Sequence, residues 1–111
     1  MDIKEFIDHW LEASNDFDAD RYVSLYKQDA VLDDPSVGRK FIGHEGIRNY
    51  FESYFIGYNT QTRLKELIIN GNTAHLEVEF TGNFPEGIIG GIFDFEFKDG
   101  KIRNAKADLV S

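Results

Sequence analysis

The 111-residue sequence contains no cysteine. Disulfides, thiolate metal sites and cysteine nucleophiles are excluded together. Proline is nearly as scarce, with Pro35 and Pro85 its two occurrences, so few points force the backbone out of regular structure. Positive charge is also in short supply. Twelve basic residues stand against 20 acidic ones, and the formal net charge is −8. Without a basic stripe, such a surface repels a phosphate backbone and an anionic bilayer alike. Neither nucleic acid nor membrane is therefore an expected partner. No apolar run approaches the roughly 20 residues that span a bilayer. The first residues lack the basic-then-apolar order of a signal peptide, so the expected location is cytoplasmic.

Aromatic residues, by contrast, are plentiful: ten Phe, five Tyr and one Trp. They suffice for the core of one domain covering residues 1–111, with no staple required. Ile3, Phe6, Ile7, Trp10 and Leu11 make one helical stripe. Asp2, with Glu5 three residues on, is a capping pattern for it. A second, short helix is expected from about Asp18, with Tyr22, Val23, Leu25 and Tyr26 on its buried side. Ala30 to Leu32 reads as a short strand, and Pro35 to Gly43 as loop. A third helix is expected from His44 to Phe55, striped by Ile47, Tyr50, Phe51, Tyr54 and Phe55 and stopped by Gly57.

From Thr60 the period changes to two. A strand runs to Ile69 and ends in the hairpin signal Asn70-Gly71. Ala74, Leu76, Val78 and Phe80 then alternate with polar residues, as do Ile89, Gly91, Phe93, Phe95 and Phe97. After Asp99-Gly100, a last strand alternates through Ala105, Ala107 and Leu109. Helices segregated from an antiparallel meander make an α+β domain, with the helices lidding one apolar sheet face. That face mixes bulky Phe80, Phe93, Phe95 and Phe97 with small Ala74, Gly91, Ala105 and Ala107. Such unevenness leaves a cavity, or else interdigitates and fills the space.

One stretch is more specific: Leu25-Tyr26, Asp29-Ala30, Asp34-Pro35, then Gly43 ahead of Ile47 and Phe51. This succession resembles the nuclear transport factor 2-like superfamily, in its SnoaL-like and ketosteroid isomerase-like branches, and the likeness extends over nearly the whole chain. The resemblance implies a cone-shaped fold, with three N-terminal helices packed on a curved antiparallel sheet. It implies a pocket for a small apolar molecule, with no metal or cofactor, and a homodimer formed through the outer sheet face. In ketosteroid isomerases the aspartate before that proline is the general base, and Asp34 matches it. Their oxyanion donors, a tyrosine on the first helix and a protonated aspartic acid on a late strand, match Trp10 and Phe93 here. One indole N–H remains at the first position and no donor at the second. A lost oxyanion donor typically costs ~10²–10³ in rate. The resemblance thus implies Asp34 as a lone base, or a member that binds without catalysing. Trp10 either donates its N–H to Asp34 or to a ligand, or packs as a core aromatic of its helix stripe, the commoner fate. SnoaL-like cyclases carry the base on a strand near the chain end. Asp94 and Asp108 are the candidates there, and alternation turns both away from the apolar face.

A pocket wall is expected from Tyr26, Phe51, Tyr54 and Tyr58 on the lid, and from Val78, Phe80, Phe93, Phe95, Ala107 and Leu109 on the sheet. A carboxylate in such a dry place holds its proton more tightly and suits proton transfer. The competing reading makes Asp34 a turn residue that accepts backbone N–H groups ahead of Pro35. Asp16, Asp18 and Asp20 have the spacing that opens a calcium loop, but Arg21 and Lys27 stand where Gly and Glu are needed. That run reads as an acidic helix-capping turn. His9, His44 and His75 lack metal-ligand spacing, and His44 is close enough in sequence to pair with Asp34. Two functions remain open. One is an isomerase-, cyclase- or dehydratase-like enzyme with Asp34 as base. The other is a non-catalytic ligand-binding or protein-interaction domain whose core is filled by its own side chains.

Overall fold

A computed structural model describes residues 1–110. Helix α1 (Ile3–Asn15) starts where the Asp2 carboxylate accepts the Glu5 N–H, satisfying an end group that has no partner within the helix. It buries Ile7, Trp10 and Ala13. Helix α2 (Ala19–Ser24) is capped in the same way by Asp18, which accepts from Arg21 N. Asp20 of the same acidic run pairs with Arg48 of the third helix. Capping and surface pairing thus account for Asp18 and Asp20.

The chain then enters strand β1 (Tyr26–Asp34), longer than expected and beginning at a residue assigned above to the second helix. The stretch expected as loop contains β2 (Arg39–Ile42), antiparallel to β1. Helix α3 (Gly43–Phe51) follows, and its last turn widens into a π-helical turn over Glu52–Ile56. Gly57 closes that turn, its N–H bonding the carbonyl of Glu52. A Cβ on Gly57 would sit 2.5 Å from the Ser53 carbonyl oxygen, so only glycine fits. Strands β3 (Gln61–Asn70), β4 (Thr73–Thr81), β5 (Ile88–Lys98) and β6 (Lys101–Val110) complete the fold.

The six strands form one sheet in the order β2-β1-β6-β5-β4-β3. It is mixed, since β1 pairs with β6 in parallel while every other pairing is antiparallel. The expectation of an antiparallel sheet is corrected at this one seam. The meander from β3 to β6 starts at the far edge and returns to β1 running in the same direction. The helices are likewise no uninterrupted N-terminal block, because β1 and β2 lie between α2 and α3. All helices cover the inner face, where Ala74, Leu76, Val78, Phe93, Phe95, Phe97, Ala105 and Ala107 are buried. Among the described residues no helix is long and apolar enough to cross a membrane.

Candidate functional site

Strand direction decides where a site can form. The C-terminal ends of β1, β4 and β6, the start of β5 and the residue before β3 all meet at one end of the sheet. The opposite end is packed solid. Trp10 meets Phe93 and Phe95 edge-on, with ring centroids 4.9 and 5.4 Å apart, and Tyr22 stacks on Phe51 at 4.1 Å. At the first end lies a cavity of about 250 Å³ that opens to solvent. Asp34, Ser36 and Val37 line it from the end of β1 and the turn beyond, and Tyr50, Tyr54 and Phe55 from the helical side. Tyr58, Thr60 and Phe80 close another side, and Phe84, Glu86, Ile89 and Leu109 form the rest of the wall.

Asp34 reaches this cavity through strand alternation. Ala30, Leu32 and Asp34 share the inner face of β1, and Asp34 is only 6% exposed. Its Oδ1 accepts two hydrogen bonds from one residue, Ser36: the backbone N–H at 3.0 Å and the hydroxyl at 2.5 Å. The turn reading and the placement on a cavity wall are compatible. It is a turn residue ahead of Pro35, and it is also a buried carboxylate on a cavity wall. The two Ser36 donors fix the rotamer, leaving Oδ2 for other partners. One neighbour is the Tyr50 hydroxyl. Burial pushes the Tyr50 pKa well above its ordinary value, and the Asp34 charge and hydrogen bonding to it push the same way. Tyr50 is consequently a neutral O–H beside a carboxylate.

Five of the twelve expected site residues meet in the cavity: Asp34, Tyr54, Tyr58, Phe80 and Leu109. Seven lie elsewhere, in the solid packing below it: Trp10, Tyr26, Phe51, Val78, Phe93, Phe95 and Ala107. Trp10 is 0% exposed, and its indole N–H donates to the Tyr26 hydroxyl at 3.4 Å, which donates in turn to Tyr22 at 2.8 Å. That N–H is engaged within the core, so Trp10 is a core aromatic and does not pair with Asp34. His44 does not reach Asp34 either, since its Nε2 bonds the Tyr26 carbonyl oxygen at 2.7 Å. Asp94 faces outward and pairs with His75 at 2.6 Å. Ser36, Phe84 and Glu86 escaped the sequence reading. They lie in turns, where no periodicity reports which way a side chain faces.

A larger groove of about 600 Å³ crosses the outer sheet face between Lys40, His75, Asp94 and Lys106. It is an open surface ringed by charged side chains, whose Asp94 already pairs with His75. The smaller cavity, with apolar walls and one buried carboxylate, has the character of a small-molecule site.

Comparison with known proteins agrees with this fold. No curated protein sequence matches significantly. Among solved structures, a proposed polyketide cyclase from Sinorhizobium meliloti superposes with a TM-score of 0.85 at 20% identity, covering 93% of each chain. A proposed ketosteroid isomerase from Kribbella flavida gives 0.84 at 15% identity, over 96% of this chain and 76% of that one. SalBIII, an epoxide hydrolase/cyclase-like enzyme of pyran ring formation in the polyether salinomycin, gives 0.83 at 19%, over 96% and 89%. At these identities the likeness concerns the fold. The family model for the SnoaL-like domain matches residues 7–105. That match runs from within α1 to the middle of β6, so this chain belongs to the SnoaL-like domain family.

Proposed function

We propose that the chain binds a small carbonyl compound in the cavity and uses Asp34 as a general base toward a carbon beside that carbonyl. The observation that carries this reading is the placement of Asp34: 6% exposed, on the cavity wall, and oriented through Oδ1 by both donors of Ser36. Low solvent access strengthens a positioned base, because water does not compete for it. The proton passes from carbon to the carboxylate, and the electron pair left behind moves onto the carbonyl oxygen as an enolate. Tyr54 and Tyr58 place hydroxyl-bearing side chains on the same wall as candidate donors to that oxygen. Double-bond isomerisation, aldol-type cyclisation and β-elimination of water from carbonyl compounds each begin with this step.

The step is measurable without knowing the product. Small ketones incubated with the protein in heavy water should exchange hydrogen for deuterium beside the carbonyl, read by proton NMR. Asp34→Asn should lower that exchange by about 10²-fold or more, within the range for loss of a positioned base. Equal exchange in both proteins would sink the catalytic reading. Ligand retention that survives Asp34→Asn, with no exchange in either protein, would instead establish a binding module.

A further inference from the structure

The cavity has a one-sided charge inventory. Its wall carries two carboxylates, Asp34 and Glu86, and no lysine, arginine or histidine. Among the described residues neither carboxylate enters an ion pair. Arg39 lies opposite Asp34 in the β1–β2 register, yet its guanidinium sits 4.4 Å over the Phe41 ring and is not part of the wall. The rest of the wall is largely aromatic, with rings from Tyr50, Tyr54, Phe55, Tyr58, Phe80 and Phe84. Ring faces are negative and attract cations. The whole chain, at −8, adds a field of the same sign.

We propose that this cavity selects a small organic cation, an amine or ammonium compound with a modest apolar body. The inference rests on the cavity being the ligand site and narrows the substrate class within it. An anionic ligand would meet two carboxylates with no compensating base. A neutral ligand would leave Asp34 buried without a counter-charge. A cation supplies that charge while its apolar body covers the rings. The volume of about 250 Å³ is about eight waters' worth, so the ligand is small or projects through the mouth. Depth separates the two acids. Asp34 is buried at the wall, whereas Glu86 is exposed at the rim, where it would attract the cation on entry. A substrate carrying positive charge near the carbon that loses its proton would also stabilise the enolate. That help matters in a wall whose donors are otherwise neutral.

A matched trio of probes tests this: benzylammonium, benzyl alcohol and benzoate, titrated at pH 7 and followed by NMR shifts of cavity residues. Benzylammonium should bind about tenfold tighter than the alcohol, and benzoate weakest of all. Glu86→Gln should reduce the ammonium preference about threefold, as befits an exposed charge. Asp34→Asn should remove most of that preference. Glu77→Gln makes the same change in net charge on the outer sheet face and should leave the preference intact. Alcohol binding as tight as ammonium binding overturns the proposal. So does an equal loss in Glu77→Gln and Glu86→Gln, or the absence of any shift in cavity residues. The two readings of the site fail separately. Ketone exchange without ammonium preference removes the cation and keeps the base, and ammonium preference without exchange does the reverse.

Discussion

Gly91 lies on the inner face of β5, where a Cβ would come within 2.3 Å of a Phe80 ring carbon. Phe80 forms part of the cavity wall, so Gly91 governs where that wall stands. Gly91→Ala should push the ring toward the cavity, the side with open space. Overpacking of this kind costs about 1–3 kcal/mol. The expected result is a modest fall in the urea midpoint together with a larger loss of ligand affinity. A variant with unchanged affinity would show that Phe80 has room to move elsewhere. The alternation of β5 placed Gly91 and Phe93 on one face, and that much was legible. Which residues face the cavity and which pack beneath it was not. Trp10 illustrates the gap. Its stripe position announced burial, but no sequence pattern says whether an indole N–H meets a carboxylate or, as found, a tyrosine hydroxyl. Asp34 was the easier residue, because Ala30 and Leu32 set the phase that carries its side chain inward.

At the level of elements, the exposed edge of the sheet shows how α1 and β3 are joined. Asn15, the last residue of α1, presents its amide to Thr62 of β3. Its Nδ2 donates to the Thr62 carbonyl at 2.9 Å, and its Oδ1 accepts the Thr62 N–H at 2.7 Å. The side-chain amide thus stands in for one residue of a neighbouring strand and blunts the start of the edge. Thr62 is 5% exposed, so both backbone groups would be left without water if the amide were removed. Asn15→Ala should destabilise the fold by about 1–3 kcal/mol in urea unfolding, and the Thr62 amide should exchange with solvent markedly faster. Unchanged exchange at Thr62 would count against this account. No spacing rule predicts such a link, since the partners lie 47 residues apart. Strand β2 was missed for a different reason. It has four residues, of which only Phe41 is buried, too few for an alternation to register. The π-helical turn was hidden because a period-3.6 stripe through Tyr54 and Phe55 looks the same from sequence.

The molecule as a whole is a fold with one filled end and one open end, and an ionisable cluster reaches from the filled end (Tyr22 and Tyr26) to the cavity wall (Tyr50). Tyr22, Tyr26 and Tyr50 are all buried. Burial, the leading cause, pushes the Tyr26 pKa up to about 12, although hydrogen bonding with Tyr22 and Trp10 pulls the other way. Burial also places Tyr22 well above its ordinary value, reinforced by the nearby Tyr26 and Tyr50, and Tyr50 moves in the same direction. Below pH 10 these phenols are neutral in both the folded and the unfolded chain, and their full contribution to stability is present. Above pH 10 the unfolded chain releases protons that the folded one keeps, so unfolding becomes more favourable as pH rises. For Tyr26 the loss develops between pH 10 and about 12 and reaches about 3 kcal/mol, at about 1.4 kcal/mol per pH unit. Tyr22 and Tyr50 add to it with the same sign. The urea midpoint should therefore fall steeply above pH 10, with tyrosinate absorbance appearing together with loss of helix signal. Tyr26→Phe should start from a lower midpoint at neutral pH, because Trp10 and Tyr22 lose a partner, but should decline less steeply above pH 10. Tyrosinate absorbance rising well before the helix signal falls would mean that these phenols ionise inside the folded protein, against the burial that defines its closed end.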